Sequence, residues 1–289
     1  MTLGGGEPGN VVEPQACRGT RERFSGGWDT ERMEDDTKAG AGGDAMGGAL
    51  GARLLAPNSS GVWCFINNFA TYGALVRSGF DWIALDAQHG EFDRQALVAA
   101  GRALTAGGQS FAVRVARVDA GDIGLALDAG ASTVIVPHVD TVDDARCVVA
   151  AAHYPPRGSR SWGPLAPLWG HEAPTAADAA PQVAVMIESA QALSSVEDIA
   201  AVPGVDLLFV GPFDLALSLG VPLDDLINDP QGPLARIRDA ATAAGIGVGA
   251  FAGTPERARV LRDRGFGCLA VATDTGVIAA GAQTVLGHL

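Results

Sequence analysis

The chain alternates short apolar runs with longer stretches in which apolar residues recur at helical spacing. This alternation starts near Gly61 and is typical of repeated strand–helix units around a parallel sheet. Eight apolar runs are predicted as strands, at residues 62–66, 82–86, 111–115, 133–137, 183–188, 207–211, 247–251 and 268–272. Helices are predicted between them, for example at 94–106, 141–152, 189–201, 233–244 and 255–264.

Eight such units within about 230 residues match the usual size of a (β/α)₈ TIM barrel, an α/β fold. A doubly wound open sheet is the alternative. The regular spacing and the lack of a GxGxxG turn after the first strand favour the closed barrel. Residues 1–48 are rich in Gly and charged residues without apolar periodicity, so we predict a disordered extension there and a catalytic barrel over 49–289. Met33 and Met46 are alternative starts, a hypothesis that N-terminal sequencing would test.

Composition narrows the class of protein. The 289 residues carry a formal charge of −13, and the acids are dispersed, which argues against a nucleic-acid partner or an anionic membrane surface. No apolar run reaches the roughly 18 residues of a membrane span, and the N-terminus lacks a basic-then-apolar secretion pattern, so we do not expect export. The four cysteines lie far apart, as expected of a reduced, cytoplasmic chain.

Lysine is almost absent, because Lys38, in the predicted extension, is the only one in the sequence. A Schiff base to a substrate carbonyl or to pyridoxal phosphate requires a lysine amine. We therefore expect the barrel to use neither.

Polar residues follow several predicted strands, where the active site of a barrel lies. Glu188 and Asp214 follow adjacent strands, and two carboxylates held together favour a divalent cation such as Mg²⁺ or Mn²⁺. Alternatively, each carboxylate caps the helix that follows it. His89, after the second strand, is either a general base or an ordinary loop histidine.

Three further charged residues stand at notable places. Arg114 interrupts an apolar strand, so it either faces the barrel interior and meets a carboxylate or points outward past the helices. Asp128 stands near a helix C-terminus, where an acid is unfavourable and requires a partner. Arg160 lies on a long Pro- and Trp-rich segment that is either a lid over the barrel mouth or an exposed loop.

Four separated motifs, within about residues 54–288, together resemble the HpcH/HpaI aldolase family. They are FDWIALDAQHG (80–90), YPPRGSRSWG (154–163), MIESAQA (186–192) and GVDLLFVGPFDL (204–215). The resemblance implies a barrel of the phosphoenolpyruvate/pyruvate type and a class II pyruvate aldolase, which cleaves a 4-hydroxy-2-oxo acid to pyruvate and an aldehyde with Mg²⁺, Mn²⁺ or Co²⁺. It also implies a homo-oligomer, commonly a hexamer that uses the C-terminal helix.

The resemblance also implies roles for individual residues. Glu188 and Asp214 match the metal ligands, His89 the proton-transferring base, Asp128 the acid that raises the basicity of that histidine, and Arg114 the residue that stabilises the developing oxyanion. Phe213 matches a backbone contact to the pyruvate carboxylate.

Three positions depart from the family pattern. Gln88 replaces a glutamate, Ser161 replaces a glycine after Arg160, and Met186 stands where some members have a substrate-contacting glutamine. Two alternatives remain open: an acyl-CoA lyase related to the citrate lyase β subunit, which needs more basic residues for the CoA phosphates, and a non-catalytic barrel.

Overall fold

The computed structural model describes residues 56–176 and 179–289. Within them, eight parallel strands close into a barrel in chain order, and β8 pairs with β1. The strands are β1 (Ser59–Cys64), β2 (Trp82–Asp86), β3 (Ala112–Arg114), β4 (Thr133–Val136), β5 (Gln182–Ile187), β6 (Leu207–Val210), β7 (Gly247–Phe251) and β8 (Cys268–Thr273). The predicted (β/α)₈ barrel is confirmed, and the open sheet is not formed. The predicted extension over 1–48 lies outside the described residues.

The helices surround the barrel. They are α1 (Phe69–Val76), α2 (Arg94–Ala106), α3 (Ala120–Asp128), α4 (Val142–Ala152), α5 (Ala190–Ser194), α6 (Val196–Ala200), α7 (Pro212–Leu219), α8 (Leu223–Asn228), α9 (Pro233–Ala244), α10 (Pro255–Asp263) and α11 (Asp274–Leu286). The helix predicted over 189–201 is interrupted at Ser195, whose backbone leaves the helical conformation and separates α5 from α6.

Large aromatic side chains fill the barrel interior beside small residues. Trp63, Trp82 and Phe209 pack there with alanines of neighbouring strands. A Cβ added at Gly61 would lie 2.1 Å from the Trp82 ring, so only glycine leaves room for this indole. The interior is thus a packed core, as in other barrels of this type.

Helix direction divides the barrel into two ends. Side chains that follow the strands cap the helix N-termini; examples are Asn68 on α1, Asp93 on α2, Thr141 on α4 and Ser189 on α5. Helix N-termini therefore share one end with the C-terminal ends of the strands, which we call the mouth. Helix C-termini lie at the opposite end, where the next strand begins.

The C-terminal helix α11 is attached mainly through its first residue. Asp274 is fully buried and accepts hydrogen bonds from the backbone N–H groups of Phe65 and Ile66, at 2.9 and 2.8 Å. Farther along, Ile278, Val285 and Leu286 are exposed. None of the described helices combines the length and the apolar character that crossing a membrane requires.

Candidate active site

A buried carboxylate–guanidinium pair lies at the base of the mouth. Asp86 ends β2 and is fully buried, and Arg114 ends the neighbouring strand β3 in register with it. Arg114 Nε donates to Asp86 Oδ1 at 2.9 Å, and Arg114 Nη2 donates to Asp86 Oδ2. The guanidinium also lies over the ring of Trp63, 5.2 Å from its centroid. The inward orientation of Arg114 is thus confirmed, whereas its role toward an oxyanion stays a prediction.

Asp86 also organises the loop that carries His89. Its Oδ1 accepts hydrogen bonds from the backbone N–H groups of Gln88 and His89, and its Oδ2 accepts one from Trp63 Nε1 at 3.0 Å. Burial acts to raise the pKa of Asp86, but the bonds and charge of Arg114, together with the other donors, outweigh it and hold this pKa below its ordinary value. The carboxylate is therefore ionised at neutral pH.

His89 projects from this loop and is exposed. Among the described residues, no side chain or backbone group hydrogen-bonds its imidazole, although its backbone is held by Asp86. An unrestrained imidazole at the mouth is available for proton transfer to or from a bound molecule.

Glu188 follows β5 and is 3% exposed. Its Oε1 accepts a 2.8 Å hydrogen bond from the backbone N–H of His138, whose φ of 52° places it in the left-handed region. Its Oε2 is buried and has no hydrogen-bond partner among the described residues. Burial raises the pKa of Glu188, and nearby Asp214 acts in the same direction, against the opposing effects of His138 and Arg114.

Asp214 stands in the first turn of α7, next to Phe213. Helix capping does not account for either carboxylate, because Ser189 caps α5 and no side chain caps α7. A Cβ on Gly211 would lie 2.5 Å from Glu188 Oε2, so glycine allows the start of α7 to approach this oxygen closely.

The two carboxylates fit a hard divalent cation. A buried carboxylate oxygen without a donor, beside a second carboxylate that is exposed at the mouth, is an arrangement that a cation stabilises. Within the described ranges, no cluster of three or more His, Cys, Asp or Glu side chains has metal-binding geometry. Glu188 and Asp214 would therefore be the two protein ligands, and water or substrate oxygens would complete the shell, as at many Mg²⁺ sites.

The departures from the family pattern lie at different places. Met186 is buried in the barrel interior, and its Cε lies close to Gly211, beneath Glu188. It lines the floor of the site with a thioether, which is a weak hydrogen-bond acceptor. Gln88 Oε1 is buried without a partner among the described residues. Ser161 lies on the segment after α4, at the end of the barrel opposite the mouth.

Within one chain, Asp128 and Arg160 lie away from the mouth, and a role of Asp128 toward His89 stays a prediction. Asp128 is the last residue of α3, so it lies at the end opposite the mouth and not beside His89. Its partner is Arg160, whose Nη2 donates to Asp128 Oδ1 at 2.7 Å. Arg160 itself is 8% exposed, and its guanidinium lies 4.6 Å from the centre of the Tyr154 ring. It is therefore neither a lid residue over the mouth of its own barrel nor an exposed charge.

The structure adds two residues that the sequence analysis did not assign to the site. One is Asp86, the partner of Arg114. It could have been found in the sequence, because it is the last residue of the predicted strand next to the one that carries Arg114. His138 orients Glu188 through its backbone N–H, which no side-chain pattern indicates.

Replacing Asp86 by Asn should lower the free energy of unfolding by about 3–5 kcal/mol at pH 7, because Arg114 stays buried without an anion. The pKa of Asp86 is lowered on folding, so its contribution is complete above about pH 4 and is lost as the pH falls through the folded-state pKa. Urea unfolding at several pH values measures this, and the difference between wild type and Asp86→Asn should shrink in acid. Asp263→Asn, at an exposed position, is the control. Equal stability of wild type and Asp86→Asn at pH 7 contradicts the argument.

The sequence matches a known protein family and several characterised relatives. Residues 59–280 match the HpcH/HpaI aldolase/citrate lyase family. A hydroxypyruvate/pyruvate aldolase of Rhizorhabdus wittichii is 37% identical over 217 residues, which cover 74% of this chain and 86% of that protein. A 4-hydroxy-2-oxovalerate aldolase of Rhodococcus jostii is 34% identical over 223 residues, covering 76% and 86%.

A solved structure is also similar. The HpcH/HpaI aldolase/citrate lyase family protein of Burkholderia cenocepacia superposes with a TM-score of 0.74 at 33% identity, over 82% of this chain and 96% of that one. The match extends over the whole barrel, including the strand ends that carry Asp86, Arg114 and Glu188. A carbon–carbon lyase activity follows from the aldolase relatives, and the non-catalytic alternative is set aside. The chain belongs to the HpcH/HpaI aldolase/citrate lyase family.

Proposed function

We propose that the protein is a metal-dependent aldolase that cleaves a 4-hydroxy-2-oxo acid to pyruvate and an aldehyde, or catalyses the reverse condensation. The observation that carries the proposal is the unpaired, buried Glu188 Oε2 beside Asp214, at the same mouth as Arg114 and His89. The curated relatives are named as aldolases of 2-oxo acids, which supports this substrate class over an acyl-CoA thioester.

Glu188 and Asp214 would hold the cation, for which Mg²⁺, Mn²⁺ and Co²⁺ are the candidates. When bound, such an ion supplies Lewis-acid polarisation of the 2-oxo group. With no lysine among residues 56–289, the barrel has no amine for a Schiff base, and the absence of pyridoxal phosphate stays a prediction.

The other residues would bind and orient the substrate. Asp86 engages Nε and Nη2 of Arg114, so Nη1 can donate to a substrate oxygen on which negative charge develops. The backbone N–H groups at the start of α7, including that of Phe213, suit the carboxylate of the 2-oxo acid. His89 would accept the proton of the 4-hydroxyl as the C3–C4 bond breaks, and a proton would then be delivered to C3 to complete pyruvate; condensation runs both transfers in reverse.

Metal-dependent pyruvate release is the direct test. After chelation and dialysis, the protein should release pyruvate from a 4-hydroxy-2-oxo acid only when Mg²⁺, Mn²⁺ or Co²⁺ is added, as measured with a coupled reductase. Glu188→Gln should weaken Mn²⁺ binding by more than about tenfold in calorimetry, because a charged ligand is lost. Glu256→Gln, at an exposed position in the first turn of α10, should not. Release without metal, or none with any metal, contradicts the proposal.

Replacing His89 by Ala tests the proton transfer. We expect kcat for cleavage to fall by about 10² to 10⁴, the usual contribution of a positioned base, with little change in the Kd for Mn²⁺ or pyruvate. His171→Ala, which removes an exposed imidazole elsewhere, is the matched control. Unchanged kcat in His89→Ala assigns the base to another group.

We also propose that the protein is a homo-oligomer, with a hexamer expected from the family resemblance. Helix α11 buries only Asp274 and exposes Ile278, Val285 and Leu286, which a second subunit would cover. A cytoplasmic location stays a prediction of the sequence.

Light scattering tests the oligomer. The wild type should have the mass of several chains at micromolar concentration, and the double variant Ile278→Asp, Val285→Asp should dissociate, because burying these charges in an apolar contact is costly. Gln283→Asp, on the same helix, is the control. A monomeric wild type, or a double variant of unchanged mass, contradicts this contact.

A further inference from the structure

We infer that Arg257 selects aldehydes that carry a negative charge at the far end of an apolar spacer. The inference rests on the proposed function, and it names both a specificity-determining residue and the class of electrophile that this residue favours.

Three aromatic rings lead from the barrel interior to the rim of the mouth. The Trp63 and Phe251 ring centroids are 5.4 Å apart, and those of Phe251 and Phe213 are 6.1 Å apart. We call these three rings the aromatic path. Its inner end touches the Asp86–Arg114 pair through Trp63, and its outer ring, Phe213, directly precedes Asp214 in the chain and is 42% exposed. The path therefore starts at the buried Asp86–Arg114 pair at the base of the mouth and ends at the solvent.

Arg257 stands at the outer end of this path. Its Cζ lies 5.4 Å from the centre of the Phe213 ring, and it occupies the first turn of α10, which begins at the mouth. In helices, side chains point back toward the N-terminus, so a residue at this position extends toward the mouth.

Neither helix stability nor ion pairing accounts for a positive charge at position 257. A cation in the first turn of a helix is opposed by the helix dipole. Its one ion pair among the described residues is a 3.5 Å contact with Asp224, whose side chain is 76% exposed. By contrast, Arg236 makes two 2.8 Å hydrogen bonds to Glu197. The charge of Arg257 is thus weakly compensated and available to an anion.

The arrangement favours one class of electrophile. A 2-oxo acid held near Glu188 and Asp214 would place its growing chain along the outer part of the aromatic path, where methylene groups replace water against the Phe251 and Phe213 rings. A carboxylate or another anion at the end of that chain would then reach the guanidinium, whose planar fork suits such groups. A short or neutral aldehyde gains nothing from Arg257.

Paired aldehydes test the inference. The kcat/KM for condensation with pyruvate is measured for unbranched aldehydes of three to six carbons that end either in a methyl group or in a carboxylate. In the wild type, the kcat/KM of the carboxylate-ended aldehyde divided by that of the methyl-ended aldehyde should rise with the length of the aldehyde. In Arg257→Met this ratio should fall by about tenfold for the longer pairs, because a hydrogen bond to a charged group typically contributes at least that much. Arg257→Lys should recover part of the ratio, and high salt should lower it in the wild type.

Arg259→Met is the matched control, because it removes the same charge from an exposed position on the same helix. Its ratio should equal that of the wild type. An unchanged ratio in Arg257→Met, or an equal fall in both variants, overturns the inference.

A binding measurement separates this inference from the proposed function. Calorimetry with Mn²⁺ compares nine-carbon 2-oxo acids, the length of the product from a six-carbon aldehyde, that end in a methyl group or in a second carboxylate. The wild type should bind the second compound about tenfold more tightly, and Arg257→Met should remove the difference. If no aldehyde reacts, the proposed function fails. The affinities of the two 2-oxo acids still show whether Arg257 binds an anion at the end of the chain. A difference that persists in Arg257→Met overturns that role.

Discussion

Asp86 is a fully buried carboxylate, and the site is built around the compensation of its charge. It accepts hydrogen bonds from Trp63 on β1, from Arg114 on β3 and from the loop after β2. Ionised groups are tolerated in an interior only when donors of this kind surround them. The same bonds join three neighbouring strands and fix the backbone of His89, so the cost of burying one charge is offset by contacts that also position the reactive groups.

At Glu188, the cost of burial is not fully compensated by hydrogen-bond donors. Both carboxylates are buried at strand ends, but the pKa of Asp86 is held below its ordinary value, whereas burial raises that of Glu188. The difference lies in the donors, because both oxygens of Asp86 are bonded and Glu188 has one oxygen without a partner. A satisfied buried carboxylate holds structure together, while a half-satisfied one is unfavourable until a cation or a donor reaches it. This contrast supports a structural role for Asp86 and a ligand role for Glu188.

The fold was predictable because each strand of a parallel barrel is a short apolar run with its own boundaries. Residues at strand ends, such as His89 and Glu188, were predictable for the same reason. The pairing of Asp128 with Arg160 was not predictable, because a motif does not state which distant residues meet. The bond from His138 to Glu188 was beyond prediction, since it depends on one backbone conformation.

The mouth divides into two halves with different chemistry. From β2 to β6 it carries the acidic and basic side chains of the site: Asp86, Arg114, Glu188 and Asp214. Toward β7 and β1 it is lined by Phe251, which packs on the buried Trp63, and Phe213 lies between this apolar half and the rim. Negative charge that develops on a substrate is stabilised by fixed polar groups, and apolar walls strengthen this effect by excluding water. The same apolar walls accept chains of different length, so selectivity for the aldehyde can change at the rim without disturbing the Asp86 network on which the chemistry depends.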